Sequence, residues 1–146
     1  MDVPHPYYRV MDASPLDEAL RRVGDRWALR LAEVLMEGPR RFTDLAAAIE
    51  GIAPNTLSDR LRHLESEGVI VRKPYSERPL RVTYELTREG RQLAGALRSL
   101  TQWGAQRLGR APIHHATCGS EMEIRWYCPT CARSVDEAEN DEIQHL

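Results

Sequence analysis

The chain has 146 residues, 42% of them hydrophobic, and a net charge of −2. This length suits one main domain with a small appendage, and the hydrophobic content is sufficient for a buried core. No window approaches the roughly 18 apolar residues of a membrane span. The first residues offer neither the basic stretch nor the apolar run of a signal peptide. We therefore expect a cytoplasmic protein that neither crosses nor binds a membrane.

The charge is distributed unevenly along the chain. Residues 14–110 carry 17 Lys and Arg against 13 Asp and Glu, a net charge of +4, whereas residues 111–146 carry 2 against 7, a net charge of −5. A basic body is compatible with nucleic-acid binding, although scattered charge more often only solvates a surface. We predict a main domain over residues 1–110, a small module over 111–135 and an acidic, solvated tail over 136–146.

Boundary residues mark the first two predicted helices. Ser14 can cap a helix that begins at Pro15, a residue that suits the first helical position. A second helix is predicted over residues 25–37, where Gly38 supplies a stop signal. Trp27 falls on the apolar face of this second helix, so we expect it in the core.

Two further helices have the spacing of a helix-turn-helix. Thr43 can cap a short helix over residues 44–50, and Gly51 can supply the left-handed residue that ends it. Pro54 opens a longer helix that reaches about Glu67. Two helices joined by a short turn containing glycine are the pattern found in many DNA-binding proteins.

A hairpin and a last helix complete the predicted domain. Residues 69–71 and 81–86 are predicted strands, and the two prolines between them indicate a projecting tip outside both strands. Thr87 can cap a long helix whose apolar stripe is larger than the domain can cover. Such a helix more often packs on a second copy of the chain, so we predict a homodimer in which the first helix also takes part.

A family resemblance is carried by five ordered segments: residues 24–27 (GDRW), 38–45 (GPRRFTDL), 51–61 (GIAPNTLSDRL), 84–90 (YELTREG) and 103–104 (WG). Over residues 14–108 the chain resembles the HxlR family of bacterial winged helix regulators. The resemblance implies a dimeric transcriptional regulator that binds operator DNA. Many members of that family carry a redox-sensing cysteine just before the first helix, where this sequence has Ser14. Because serine forms no disulfide, thiol sensing is not expected at that position.

In a winged helix, the second helix of the pair enters the major groove with its N-terminal half. The exposed residues of this helix are therefore candidates for base and phosphate contacts, whereas its leucines form the buried row. An aspartate on the side of this helix that faces the negatively charged DNA requires a partner, either Arg62, Arg60 or the N4 amine of cytosine. The candidates on this helix are Asn55, Thr56, Ser58, Asp59 and Arg62, with His63 as a further one.

Basic residues also cluster on the predicted wing. Four cations on one hairpin suit contact with phosphates or with the minor groove, and a solvated polar hairpin is the alternative. Two arginines that precede the helix-turn-helix are candidates for contacts with the flanking backbone. The wing cations are Arg72, Lys73, Arg78 and Arg81, and the preceding pair is Arg40 and Arg41.

Two pairs of metal-ligand residues follow the last helix. His115 and Cys118 form one pair, Cys128 and Cys131 form the other, and two residues separate the members of each pair. This is zinc-knuckle spacing, and two such turns complete a tetrahedral Zn²⁺ site that is structural because it has no open position. About 30 residues with few apolar groups also require such a staple to fold. His114 is the alternative to His115.

Three functions remain open at this point. The leading one is a homodimeric, sequence-specific DNA-binding regulator, a repressor without enzymatic activity. The second is a zinc-ribbon protein-interaction module of the transcription machinery. The third is a redox protein, either a dithiol pair or a sensor that loses zinc on oxidation. The fold class is α+β, mainly helical: a winged helix-turn-helix with a two-stranded wing, a long C-terminal dimerisation helix and a small zinc ribbon.

Overall fold

The computed structural model describes residues 14–110 and 113–135, so the predicted acidic tail lies outside the described residues. The chain divides into two compact units, the first ending at Leu97 and the second beginning at Arg98. The elements are α1 (Pro15–Val23), α2 (Arg26–Met36), α3 (Phe42–Ala48), α4 (Pro54–Ser66), β1 (Ile70–Glu77), β2 (Leu80–Leu86), α5 (Arg88–Arg91), α6 (Ala94–Arg107), β3 (Trp126–Cys128) and β4 (Arg133–Val135).

Side-chain caps fix the first helices. The backbone N–H of Asp17 donates to Ser14 Oγ at 3.0 Å, which confirms the predicted cap of α1. Asp25 caps α2, because its Oδ1 accepts from Trp27 N at 2.9 Å. The cap predicted at Thr43 is wrong. The helix α3 begins two residues earlier, at Phe42, and Asp44 Oδ2 instead accepts from the N–H of Arg41 at 3.0 Å.

The core of the first unit lies between the helices and the base of the hairpin. Leu31 of α2, Leu45 of α3 and Leu57 of α4 are fully buried there. Ile70, at the start of β1, closes the same cluster. Trp27 is half-buried against this core, as the sequence predicts. Helix-turn-helix and hairpin therefore share one apolar interior, which fixes the orientation of α4.

The hairpin is a longer ribbon than the sequence predicts. The strands β1 and β2 pair antiparallel, with Ile70 opposite Leu86 and Pro74 opposite Val82. The expectation that both prolines lie outside the strands is wrong for Pro74, which is part of β1 and precedes a bulge. A two-stranded ribbon has an open edge on each side, so a residue without an N–H leaves no buried partner unsatisfied. The tip is only residues 78–79.

The predicted helix from Thr87 is divided into α5 and α6. Between them, the N–H of Leu93 donates to the carbonyl of Gly90 at 3.1 Å, a three-residue spacing rather than the four-residue spacing of an α-helix. The chain is tightened at this point because α5 is held against the start of β1. Thr87 Oγ1 donates to the carbonyl of Gly68 at 2.6 Å and accepts from Gly90 N at 3.0 Å.

Residues 113–135, part of the second unit, contain two small hairpins. The first is closed by a bridge between His114 and Glu121. The second pairs β3 with β4 and places Trp126 opposite Val135. No residue in the range 113–135 is buried. Among residues 14–110 and 113–135, no helix is long and apolar enough to cross a membrane.

Candidate nucleic-acid interface

The outer face of α4 is polar and accessible. Asn55 and Arg62 are exposed, while Thr56 and Ser58 are half-buried. The opposite face carries the buried leucines of the core. The structure thus places the predicted reading residues on one side of a helix whose other side is fixed by packing, which is the arrangement that major-groove recognition requires.

Asp59 is neutralised on the same face. Its Oδ1 lies 3.4 Å from Arg62 Nη1, which confirms the predicted pairing. Arg60 instead turns towards α2, where its Nε lies 3.3 Å from Asp25 Oδ1. The side chains of Arg62 and Asp59 are 76% and 65% exposed, and such a surface pair contributes at most about 1 kcal/mol. Arg62 can therefore exchange Asp59 for a phosphate or a guanine at little cost.

Unlike the other candidates on α4, His63 is engaged with the end of α1. Its Nε2 lies 2.9 Å from the backbone carbonyl of Arg22, at the end of α1. Glu67, just beyond α4, accepts from Arg21 Nη1 at 2.9 Å, and Arg21 holds the pKa of Glu67 below its usual range. These contacts tie the C-terminal end of the recognition helix to α1. Only the arginine pair closing α1 could have suggested this link from the sequence.

A shallow depression joins α4 to the wing. Ser58 and Arg62 of α4 line it together with Arg72 of β1 and Tyr84 of β2. Tyr84 is itself held by Arg40, whose N–H donates to the Tyr84 carbonyl at 3.0 Å. The recognition helix and one face of the wing are therefore parts of a single surface.

The wing cations do not share one environment. Arg72, Arg78 and Arg81 are exposed, whereas Lys73 Nζ forms an ion pair with Glu85 across the ribbon. Because successive residues of a strand point to opposite faces, Arg72 and Lys73 lie on opposite sides. Within the described part of the chain, three of the four predicted cations thus remain available to phosphates without first losing a carboxylate partner.

Arg40 and Arg41 are engaged locally. Arg40 Nη2 lies 2.9 Å from Glu37 Oε2, and Arg41 Nε lies 3.0 Å from Asp44 Oδ2. Hydrogen bonding to Arg41 holds the pKa of Asp44 below its usual range, so the carboxylate remains charged at neutral pH. Contact of these arginines with DNA would have to compete with these acidic partners.

The predicted metal ligands lie on the two small hairpins. His115 Nδ1 is 3.3 Å from Cys118 Sγ, and hydrogen bonds from Ser120 and then from His115 lower the pKa of Cys118 to about 7. The N–H of Cys131 lowers the pKa of Cys128. In the described parts of the chain, no three His, Cys, Asp or Glu side chains converge on one point. The four predicted ligands therefore occur as two separate pairs.

The fold and this surface define the class of protein: a winged helix-turn-helix DNA-binding regulator of transcription. The sequence profile of the HxlR-like helix-turn-helix family matches residues 22–112. The chain belongs to that family.

Several similar proteins and solved structures support the same family assignment. An uncharacterised HTH-type transcriptional regulator of Mycobacterium tuberculosis, Rv3095, is 38% identical over 129 residues, 85% of this chain and 81% of that protein. The solved structure of YtcD, an uncharacterised HTH-type transcriptional regulator of Bacillus subtilis, covers 67% of this chain and 100% of its own, with 35% identity and a TM-score of 0.63. The solved structure of PA1374, a protein of Pseudomonas aeruginosa, covers 86% of this chain and 88% of its own, with 29% identity and a TM-score of 0.65.

Proposed function

We propose that the chain is a homodimeric, sequence-specific repressor that binds its operator with α4 in the major groove and the wing on the backbone or minor groove, and that it carries a zinc ribbon after the winged helix. The observation that carries the DNA-binding part is the continuity of the polar face of α4 with Arg72 of the wing. A dimer seated on a promoter in this way excludes polymerase, so we propose repression. No catalytic role is proposed for any residue.

Base readout is proposed for the N-terminal half of α4. Asn55 suits a bidentate contact with adenine, and Arg62 suits guanine or a phosphate. Thr56 and Ser58 suit phosphate oxygens or a thymine methyl group. In a two-fold dimer the half-sites lie about one helical turn, roughly 10 bp, or a multiple of it apart.

Dimerisation is supported by apolar side chains that the described protomer leaves exposed. Leu16 and Leu20 are exposed on α1, as are Leu100 and Trp103 on α6. Each pair is spaced three or four residues apart and so lies on one face of its helix, and apolar residues grouped in this way are typical of surfaces that a partner covers. A second copy of the chain is the partner that a two-fold operator requires.

Leu16→Glu is expected to shift the protein from dimer to monomer. The substitution places a charge in the proposed seam, yet an acidic residue in the first turn of α1 favours the helix itself. Leu80→Glu is the matched control, because Leu80 on the wing is 68% exposed and Leu16 is 67% exposed. Sedimentation velocity should show the shift for Leu16→Glu alone. Equal behaviour of the two variants would contradict the proposed role of α1.

Arg78→Ala is expected to weaken binding to all DNA sequences by a similar factor. One phosphate contact fewer should also reduce the slope of log affinity against log salt by about one unit. Arg30→Ala is the control, since Arg30 is an exposed arginine of α2, outside the helix-turn-helix and the wing. Titrations at several salt concentrations measure both slopes. An unchanged slope in Arg78→Ala would exclude the wing tip from the interface.

A further inference from the structure

The first small hairpin presents one histidine and one cysteine from the same turn. The N–H of His115 donates to the carbonyl of Ser120 at 2.8 Å, and the N–H of Gly119 donates to the carbonyl of His115 at 2.8 Å. This turn brings His115 Nδ1 to 3.3 Å from Cys118 Sγ. Gly119, directly after the cysteine, has a φ of +71°.

The second hairpin has the same construction. Cys128 ends β3, and Cys131 lies in the turn that leads to β4. Directly after the second cysteine, Ala132 has a φ of +52°. In both hairpins, therefore, a residue with a left-handed backbone follows a pair of ligands spaced i and i+3.

The conformation of Ala132 is informative because a side chain makes it costly. A left-handed backbone brings the Cβ of a non-glycine residue too close to its own carbonyl oxygen, so such residues rarely adopt it. Ala132 is the only residue other than glycine with such a backbone among residues 14–110 and 113–135. Strain of this kind persists where the surrounding structure requires it and often marks a functional site. Here it closes the turn that carries Cys131.

The hairpins have no apolar interior to hold them together. Of residues 113–135, only Ile113, Cys128 and Val135 are even half-buried. A segment of this length without a core ordinarily depends on a cross-link, either a metal or a disulfide.

The regulator Rv3095 aligns with 85% of this chain, whereas residues 1–110 account for about 75% of it. That alignment therefore extends into the segment.

We infer that these two hairpins bind one Zn²⁺ between them, through His115 and Cys118 of the first and Cys128 and Cys131 of the second. Each hairpin supplies a preformed half-site, and the ion joins the halves into one tetrahedral centre of three thiolates and one imidazole. The inference deepens the zinc-ribbon part of the proposed function and is independent of the DNA-binding part. The role of the zinc ion is structural, because the four protein ligands leave no position for water.

The geometry selects His115 over its neighbour. His114 takes part in the bridge with Glu121, and consecutive residues of an extended segment point to opposite sides. Since the His115 ring lies beside Cys118, the His114 ring is directed away from that sulfur. His114 is therefore the matched control for His115: the same side chain, one position earlier and likewise exposed.

The test is the zinc content of the full-length protein, purified under reducing conditions without chelator and measured by mass spectrometry. We expect about one zinc per chain in the wild type and in His114→Asn. His115→Asn and Cys131→Ser should fall to background, and His115→Cys should restore zinc as a four-thiolate site. Cobalt added to the metal-free protein should produce thiolate charge-transfer bands in the wild type and not in Cys131→Ser.

Two outcomes would overturn the assignment. Wild-type protein with reduced thiols and no bound zinc would exclude the site. Loss of zinc in His114→Asn with retention in His115→Asn would show that the wrong histidine has been assigned. DNA binding and the helical circular dichroism of the first unit are measured on the same samples, so failure of the zinc site is distinguished from failure of the DNA-binding proposal.

Discussion

The variant Asn55→Ala/Arg62→Ala is expected to bind the specific operator about 100-fold more weakly, at roughly 1–3 kcal/mol for each lost base contact. Binding to unrelated DNA should fall much less, because that binding depends on phosphate contacts. Both side chains are exposed on the outer face of α4, so their removal leaves the leucine row of the core unchanged. Fluorescence anisotropy with specific and scrambled duplexes measures the two affinities.

Arg30→Ala serves again as the control for this variant. Arg30 forms an exposed pair with Glu33 at 3.4 Å, the same distance and spacing as the pair of Arg62 with Asp59. Losing such a pair should therefore cost the two variants equally little in stability. If the double variant kept its preference for the operator, α4 would not be the reading helix.

Gly90→Ala is expected to destabilise the winged helix by about 3 kcal/mol, since a side chain would be forced into a packed site. A Cβ at this position would lie 2.0 Å from the carbonyl oxygen of Val69 and 3.1 Å from Leu86 Cδ2. That carbonyl also accepts from the N–H of Thr87 at 3.0 Å, so the backbone cannot retreat without losing a hydrogen bond. Thermal unfolding should shift down by about 15 °C.

Gly95→Ala is the matched control for this substitution. Gly95 lies in α6, and a Cβ there would meet nothing within 4 Å. Alanine is the better helix former, so this variant should gain up to about 1 kcal/mol. Equal stabilities of the two variants would show that α5 is not held against the start of β1.

The sequence predicts those features that depend on neighbouring residues. The cap at Ser14, the buried leucines of α4 and the pairing of Asp59 with Arg62 all arise within one or two helical turns, and the structure confirms them. Pro54 likewise opens α4 as predicted. These features require no knowledge of the tertiary fold.

Features that depend on distant contacts were not predictable in the same way. The interruption between α5 and α6 arises where Thr87 binds the carbonyls of Gly68 and Val69, just before β1, and Gly90 packs closely against Val69. His63 turns to the carbonyl of Arg22, 41 positions away, although helical periodicity alone places it near the reading face. Pro74 fits β1 only because the ribbon has open edges.

The C-terminal hairpins show the same division. The spacing of His115 with Cys118 and of Cys128 with Cys131 is visible in the sequence, and the structure forms each pair on its own turn. The left-handed backbone of Ala132 has no comparable signal, since alanine ordinarily favours a right-handed helix. Nothing in the spacing alone decides whether the two pairs meet on one ion.

The most direct test of the central claim is selection of binding sites from random duplex DNA, followed by anisotropy of the wild-type protein on the selected site from low to physiological salt. The proposed function predicts a two-fold symmetric site, a preference of about a thousandfold over scrambled DNA and a steep loss of affinity with salt. Failure to enrich any sequence, together with no salt-sensitive binding to either duplex, would contradict a DNA-reading role for α4 and the wing.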